Sequence, residues 1–262
     1  MSAQRLKTVL ITGASSGIGA TYAERFARRG HDLVLVARRA ERLAALAKTL
    51  RSETGVGVEA LPADLTDAAD LARVEKRLRE DSRIEVLVNN AGAILRGGFL
   101  DSDADAQDRL IRLNIVAPTR LASAVAPRLV AQGSGAIINI ASVLAVAPEI
   151  VPGIYPATKS YMLTFSQSLQ MELGERGVYV QAVLPGATRT EIWDLAGMSP
   201  DSIPGVMEVG ELVDAALVGF DRREAITIPP LPEVEQWDRF AEARKAMMQN
   251  FSHKHPAERY RQ

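Results

Sequence analysis

The 262-residue chain has a formal charge of −1 with acidic and basic residues interspersed, so it offers no broad field to nucleic acid or anionic lipid. It has no cysteine and only three histidines, which excludes a disulfide framework and a thiolate metal site, and no other metal site is expected. The opening MSAQRLKTVLITG lacks a small-residue cleavage site, and the longest apolar run, residues 136–148, falls short of the ~20 residues a membrane helix needs. The expectation is one cytoplasmic domain over residues 1–262 with no membrane span.

Short β-branched apolar runs alternate with segments of helix length. Residues 8–12 (TVLIT), 32–37 (DLVLVA), 58–63 (VEALPA), 85–90 (EVLVNN), 136–141 (AIINIA) and 178–184 (VYVQAVL) read as strands. Most are apolar on both faces, as strands in the middle of a parallel sheet must be. Helical periodicity marks 40–51, 67–80, 109–129, 158–175 and 211–222, with Gly30, Gly133 and Gly177 where helices stop. A last short strand at 225–228 completes an α/β, Rossmann-type, doubly wound parallel sheet of about seven strands, with helices on both faces and right-handed crossovers. Residues 189–210, rich in Gly, Pro and Met, break the pattern and read as a lid. After Pro229, Pro230 and Pro232 stiffen a linker into a final helix and basic tail.

TGASSGIG, residues 12–19, stands where the first strand ends and the first helix begins. Gly13, Gly17 and Gly19 let the backbone turn tightly and approach a pyrophosphate, and the helix N-terminus around Ser15, Ser16 and Ile18 presents N–H groups to that anion. At the end of the second strand the chain reads Ala37, Arg38, Arg39, where an acidic residue would receive the ribose hydroxyls of NAD. Guanidinium instead suits a 2′-phosphate, so the expected cofactor is NADP rather than NAD, with Arg38 preferred over Arg39. The alternative is that both arginines form the solvated start of the next helix.

With NNAG (89–92), Ser142, YPATK (155–159) and PGATRT (185–190) following in that order, the chain resembles the short-chain dehydrogenases/reductases over about residues 5–229. The resemblance implies that Asp64, with Leu65 beside it, meets the adenine. It places the backbone of Asn90, Ala91 and Gly92 along the adenosine, and Pro185, Gly186, Thr188 and Thr190 at the nicotinamide carboxamide. Asn89 and Asn90 could equally fasten neighbouring strands through their amides. Family members also imply a homotetramer or homodimer formed through the helices beginning near Asp105 and Tyr155.

Reducing a carbonyl takes a hydride from the nicotinamide and a proton from the protein. A tyrosine with a free pKa of ~10 needs a neighbouring positive charge to give up its proton near neutrality. Tyr155 and Lys159 lie one helical turn apart on one face, and Pro156 suits the first position of that helix. Tyr155 is therefore expected as general acid in reduction and base in oxidation, with Lys159 as its electrostatic partner and ribose anchor. Ser142 is expected to orient the substrate oxygen. The resemblance adds Asn114, whose backbone would hold a water linking Lys159 to solvent; a kink near Pro118 is the other reading of that residue.

Candidate walls of the substrate pocket are Ile94, Leu95, Val143, Leu144, Glu149, Ile150, Ala187, Trp193, Met198 and Met207. Most are apolar, which points to a hydrophobic ketone or aldehyde as the small-molecule substrate. A non-redox isomerase or dehydratase on the same scaffold, or an NADP-sensing regulator without turnover, are the alternatives.

Overall fold

The computed structural model describes residues 7–193, 197 and 199–261. These divide into two units, one ending at Pro229 and one beginning at Pro230. The first is a seven-stranded parallel sheet in the order β3-β2-β1-β4-β5-β6-β7. Its strands are β1 (Thr8–Thr12), β2 (Asp32–Ala37), β3 (Val58–Pro62), β4 (Ile84–Asn89), β5 (Ala136–Ile140), β6 (Tyr179–Val183) and β7 (Ile226–Thr227).

The alternation of side chains along each strand builds two cores. Val9, Ile11, Leu33, Leu35, Val88 and Ile138 face α1 (Gly17–Arg28), α2 (Ala40–Thr54) and α7 (Val209–Asp221). Leu10, Val34, Leu87, Ile137 and Val180 face α3 (Ala68–Glu80), α5 (Ala117–Gln132) and α6 (Tyr155–Leu173). Covering on both sides is why these strands have no polar face. β3 is different: as the edge strand it buries only Val58 and leaves Glu59 and Pro62 exposed.

The single helix expected over 109–129 is corrected. α4 (Ala104–Ile111) passes into a π turn (Arg112–Val116) before α5 begins. Pro118 has no N–H for the carbonyl of Asn114 four residues earlier, and the Ala117 N–H bonds the Arg112 carbonyl five residues back. Asn114 sits in the middle of that widened turn.

The sheet order reverses beside β1, between β2 and β4, so the carboxyl ends of β1 and β4 border the crevice where such sheets take ligands. Over that crevice lies the root of the 189–210 segment. Met207 N–H donates to Ala187 O at 2.9 Å, and Arg189 N–H donates to Met207 O at 2.9 Å. The Arg189 guanidinium reaches Asp201 at 2.6 Å and Glu208 at 2.8 Å. The excursion between these residues is therefore closed at its base. In the second unit α8 (Val234–Met247) buries none of its residues. Among the described residues no helix is long and apolar enough to cross a membrane.

Candidate active site

The glycine turn is shaped for close approach. Gly13 has φ +67°, and a Cβ there would stand 2.7 Å from the Asn90 Nδ2. A Cβ on Gly19 would collide with the Gly13 carbonyl oxygen. Ser16 is the N-cap of α1, yet its side chain makes no capping bond, and no acidic residue occupies the first turn. The N-terminus of α1 is thus left to bind an anion through its N–H groups and dipole. Ile18 packs on the first core, so its contribution at the turn is its backbone.

The uncommitted hydroxyls face Arg39. Its guanidinium donates to Ser16 Oγ at 2.8 Å and to Ser15 Oγ at 3.3 Å. Arg38 instead stands near Asp64. Burial pushes the Asp64 carboxyl up, but bonds from the Thr66 backbone and hydroxyl, aided by the Arg38 charge, hold it below the usual carboxylate range. Leu65 turns into the second core, leaving its backbone at the crevice.

Both asparagines of NNAG act as fasteners. Asn89 Nδ2 donates to Asn139 Oδ1 at 2.9 Å across to β5. Asn139 Nδ2 donates onward to Ser166 Oγ of α6 at 2.9 Å. Asn90 Nδ2 donates to Thr12 O at 2.8 Å, tying the NNAG segment to the glycine turn. Thr12 Oγ1 accepts the N–H groups of Asn90 and Ala91, both at 3.0 Å. The amide N–H groups of both asparagines are spent within the fold, and the backbone of Asn90, Ala91 and Gly92 borders the glycine turn.

The four chemistry-bearing residues come from three places in the fold: α6, the end of β5 and the π turn. Tyr155 opens α6, with Pro156 at its first turn. Lys159, one turn on, is buried, lies 5.5 Å from the centre of the Tyr155 ring and donates to the Ile140 carbonyl at 2.9 Å. Ser142 follows β5, where its Oγ accepts from the Leu144 N–H at 3.2 Å and lies 3.4 Å from the Pro185 carbonyl. Asn114 Nδ2 donates to Thr158 Oγ1 at 3.1 Å and to Ala93 O at 3.0 Å, while its Oδ1 accepts the Ala93 N–H at 3.0 Å. A Cβ on Gly92 would stand 3.4 Å from Asn114 Oδ1 and 3.7 Å from Lys159 Nζ, so all three converge.

Electrostatics differ from the expectation drawn from spacing. Lys159 was to favour the phenolate, but burial is the larger effect and pushes the Tyr155 hydroxyl above its ordinary range. Burial likewise lowers the Lys159 ammonium to about 8. Tyr155 is consequently a protonated donor at neutral pH, the state a carbonyl reduction needs.

Thr158 was missed from sequence. It is wholly buried, accepts from Asn114 and donates to the Tyr155 carbonyl at 2.8 Å, locking the first turn of α6 to the π turn. Its place inside YPATK was the available signal.

PGATRT lies at the carboxyl end of β6. Pro185 O accepts the Val143 N–H at 2.9 Å, Thr188 Oγ1 donates to Gly186 O at 3.1 Å, and the indole of Trp193 donates to Thr188 O at 2.7 Å. Thr190 packs beside Gly17, so this segment reaches the glycine turn.

Of the expected pocket walls, Leu95 lines a small cavity with Tyr155, joined by Phe99, Pro152 and Ile154. Ile150 is exposed, as are Phe99 and Leu100. Leu144 is buried, Glu149 faces solvent, and Met207 packs on the first core. Ile94, Val143, Ala187 and Trp193 are half-buried. Met198 lies outside the described residues.

The profile of the short chain dehydrogenase family matches residues 7–198. Oxidoreductase UcpA of Escherichia coli is 38% identical over 189 residues, covering 70% of this chain and 70% of that protein. A short-chain dehydrogenase from Sphingobium yanoikuyae, solved in complex with NADPH, is 62% identical with a TM-score of 0.96 over 98% of this chain and 100% of that one. A bulky-bulky ketone specific alcohol dehydrogenase from Comamonas testosteroni is 54% identical with a TM-score of 0.92, over 98% of this chain and 99% of that one.

Proposed function

The chain belongs to the short chain dehydrogenase family, and from that membership we propose that it is an NADP-dependent oxidoreductase reducing a bulky hydrophobic ketone or aldehyde to its alcohol. The observation that carries the reading is the pairing of Tyr155 with buried Lys159, 5.5 Å from its ring, at the crevice bordered by the glycine turn. The similar Sphingobium chain is described with NADPH and the Comamonas one as specific for bulky-bulky ketones.

The residues fit the cofactor. The uncapped N-terminus of α1, with Gly13, Gly17 and Gly19, would hold the pyrophosphate. Arg39, Ser15 and Ser16, with Arg38 alongside, would hold the 2′-phosphate. Asp64 and Leu65 would meet the adenine, the backbone of Asn90, Ala91 and Gly92 the adenosine, and Pro185, Gly186, Thr188 and Thr190 the carboxamide. When bound, the cofactor supplies the hydride.

Ser142 Oγ, fixed by the Leu144 N–H, would donate to the substrate oxygen and stabilise its developing charge. Tyr155 would donate its hydroxyl proton to that same oxygen. Lys159, anchored on Ile140 O, would stabilise the resulting phenolate and hold the ribose. The Asn114 carbonyl, left without an N–H partner at Pro118, would keep a water through which the proton is replaced.

The cavity beside Tyr155 supports an apolar substrate, because Leu95, Phe99, Pro152 and Ile154 line it with hydrocarbon. A panel of aryl ketones, aliphatic ketones and ketose sugars, followed by loss of NADPH absorbance, tests the reading. Aryl ketones should turn over fastest. NADPH binding with no turnover on any carbonyl would instead favour a regulator.

Assembly as a homodimer or homotetramer through the helices beginning near Asp105 and Tyr155, that is α4 with its continuation α5 and α6, is part of the same reading. Ala122, Ala126, Val130, Phe165 and Leu169 line an open groove between α5 and α6, and Met171 is 80% exposed. Sedimentation of the purified chain should give an oligomer; a monomer at micromolar concentration would overturn it.

A further inference from the structure

Glu191 pairs with Arg39, assigned above to the 2′-phosphate, and with Arg42, three residues further along on α2. Its Oε2 accepts from Arg39 Nη1 at 2.9 Å and its Oε1 accepts from Arg42 Nη1 at 2.6 Å. Arg39 at the same time donates through Nη2 to Ser16 Oγ and Ser15 Oγ. The Arg39 guanidinium thus donates at once to the carboxylate and to the two serine hydroxyls at the mouth of the glycine turn. Thr190, one residue earlier, packs at the turn itself, where its Cγ2 would stand 3.1 Å from a Cβ on Gly17.

We propose that Glu191 is a specificity-determining residue that competes with the cofactor's 2′-phosphate for Arg39 and Arg42. This rests on the cofactor site assigned above. A guanidinium bonds carboxylate and phosphate through the same fork of N–H groups, so the two anions contend for one set of donors. They also repel each other if both remain. The dinucleotide without a 2′-phosphate has no such conflict, because hydroxyls in that position carry no charge. Binding of NADP thus moves Glu191 off the arginines. The pairs are half-exposed, with 48% of the Glu191 side chain open to solvent, so the exchange is not blocked by burial.

The test is direct titration, by fluorescence or calorimetry, of wild type, Glu191→Gln and Arg39→Gln with NADPH, NADH and adenosine 2′,5′-bisphosphate. Two exposed ion pairs correspond to about a fivefold effect, so Glu191→Gln should bind NADPH and the bisphosphate about fivefold tighter. NADH should change by less than about twofold. Raising the salt should narrow the difference between variant and wild type, because the competition is between charges. Equal changes for NADPH and NADH, weaker NADPH binding, or no change would each overturn the competition. Arg39→Gln should lose the preference for NADPH over NADH. If it keeps that preference, the assignment of Arg39 to the 2′-phosphate fails and the competition fails with it. If Arg39→Gln loses the preference and Glu191→Gln changes nothing, only the competition is overturned.

Discussion

Replacing Tyr155 with phenylalanine should lower the rate of ketone reduction by about 10²- to 10⁴-fold, the range that a general acid contributes. The NADPH dissociation constant should change by less than about twofold. The separation follows from where the hydroxyl acts. The ring occupies the same space in both side chains, and the groups assigned to the pyrophosphate, 2′-phosphate, adenosine and carboxamide lie on the glycine turn, the β2 end, Asp64 and Leu65, NNAG and PGATRT, while Lys159 keeps the ribose. Tyr155 carries its proton at neutral pH, and because burial raises its hydroxyl above the ordinary tyrosine range, releasing that proton depends on the Lys159 charge stabilising the phenolate. Stopped-flow loss of NADPH absorbance with an aryl ketone, beside a fluorescence titration of NADPH, measures both quantities. Wild-type turnover in Tyr155→Phe would sink the assignment of the proton donor. Alcohol oxidation by the wild type should gain rate as pH rises, because in that direction the same hydroxyl must first be ionised.

The sheet was legible because its strands are buried on both faces. Runs such as TVLIT and AIINI have few other ways to remove so much apolar surface from water. The break in the helix of 109–129 was less legible. The buried positions Leu110, Asn114, Ala117 and Leu121 keep a spacing of three to four through the π turn, so the hydrophobic pattern does not mark it. Pro118 was the local mark, and its effect falls on the backbone of Asn114 four residues earlier. The site residues within motifs could be named from sequence, but their partners could not. That Asn90 spends its amide on Thr12, or that Thr158 joins Asn114 to the Tyr155 carbonyl, depends on contacts between residues 78 and 44 positions apart. Glu191 was invisible for the same reason, since its pairing with Arg39 spans 152 positions. The tyrosine pKa was misjudged because spacing reveals a nearby charge and says nothing of desolvation, which is the larger effect here.

Desolvation also gives Lys159 a measurable signature. Its ammonium falls from 10.5 to about 8 because the side chain is buried beside β5. Ketone reduction should therefore decline above about pH 8, as the charge that stabilises the Tyr155 phenolate is lost. The limb does not belong to Tyr155, whose own ionisation is moved the other way. Lys159→Met should lose about 10²-fold or more in kcat and show no such limb. Lys159→Arg keeps its charge across this range, so whatever activity it retains should persist above pH 8. Stability carries the same sign. Below pH 8 the lysine is charged in both states and the folded chain bears the whole cost of burying that charge. Between 8 and 10.5 the unfolded chain keeps a proton the folded chain has released, so this group makes stability rise with pH and contributes no penalty above 10.5. Lys159→Met should then be the more stable protein at pH 7, by at most about 3 kcal/mol before the lost bond to Ile140 O is counted. The two should converge near pH 10.5. Urea titrations of both proteins across that range measure the difference. A gap that widens with pH, or a wild-type rate flat through pH 9, would show that the ammonium keeps its ordinary affinity for its proton despite burial.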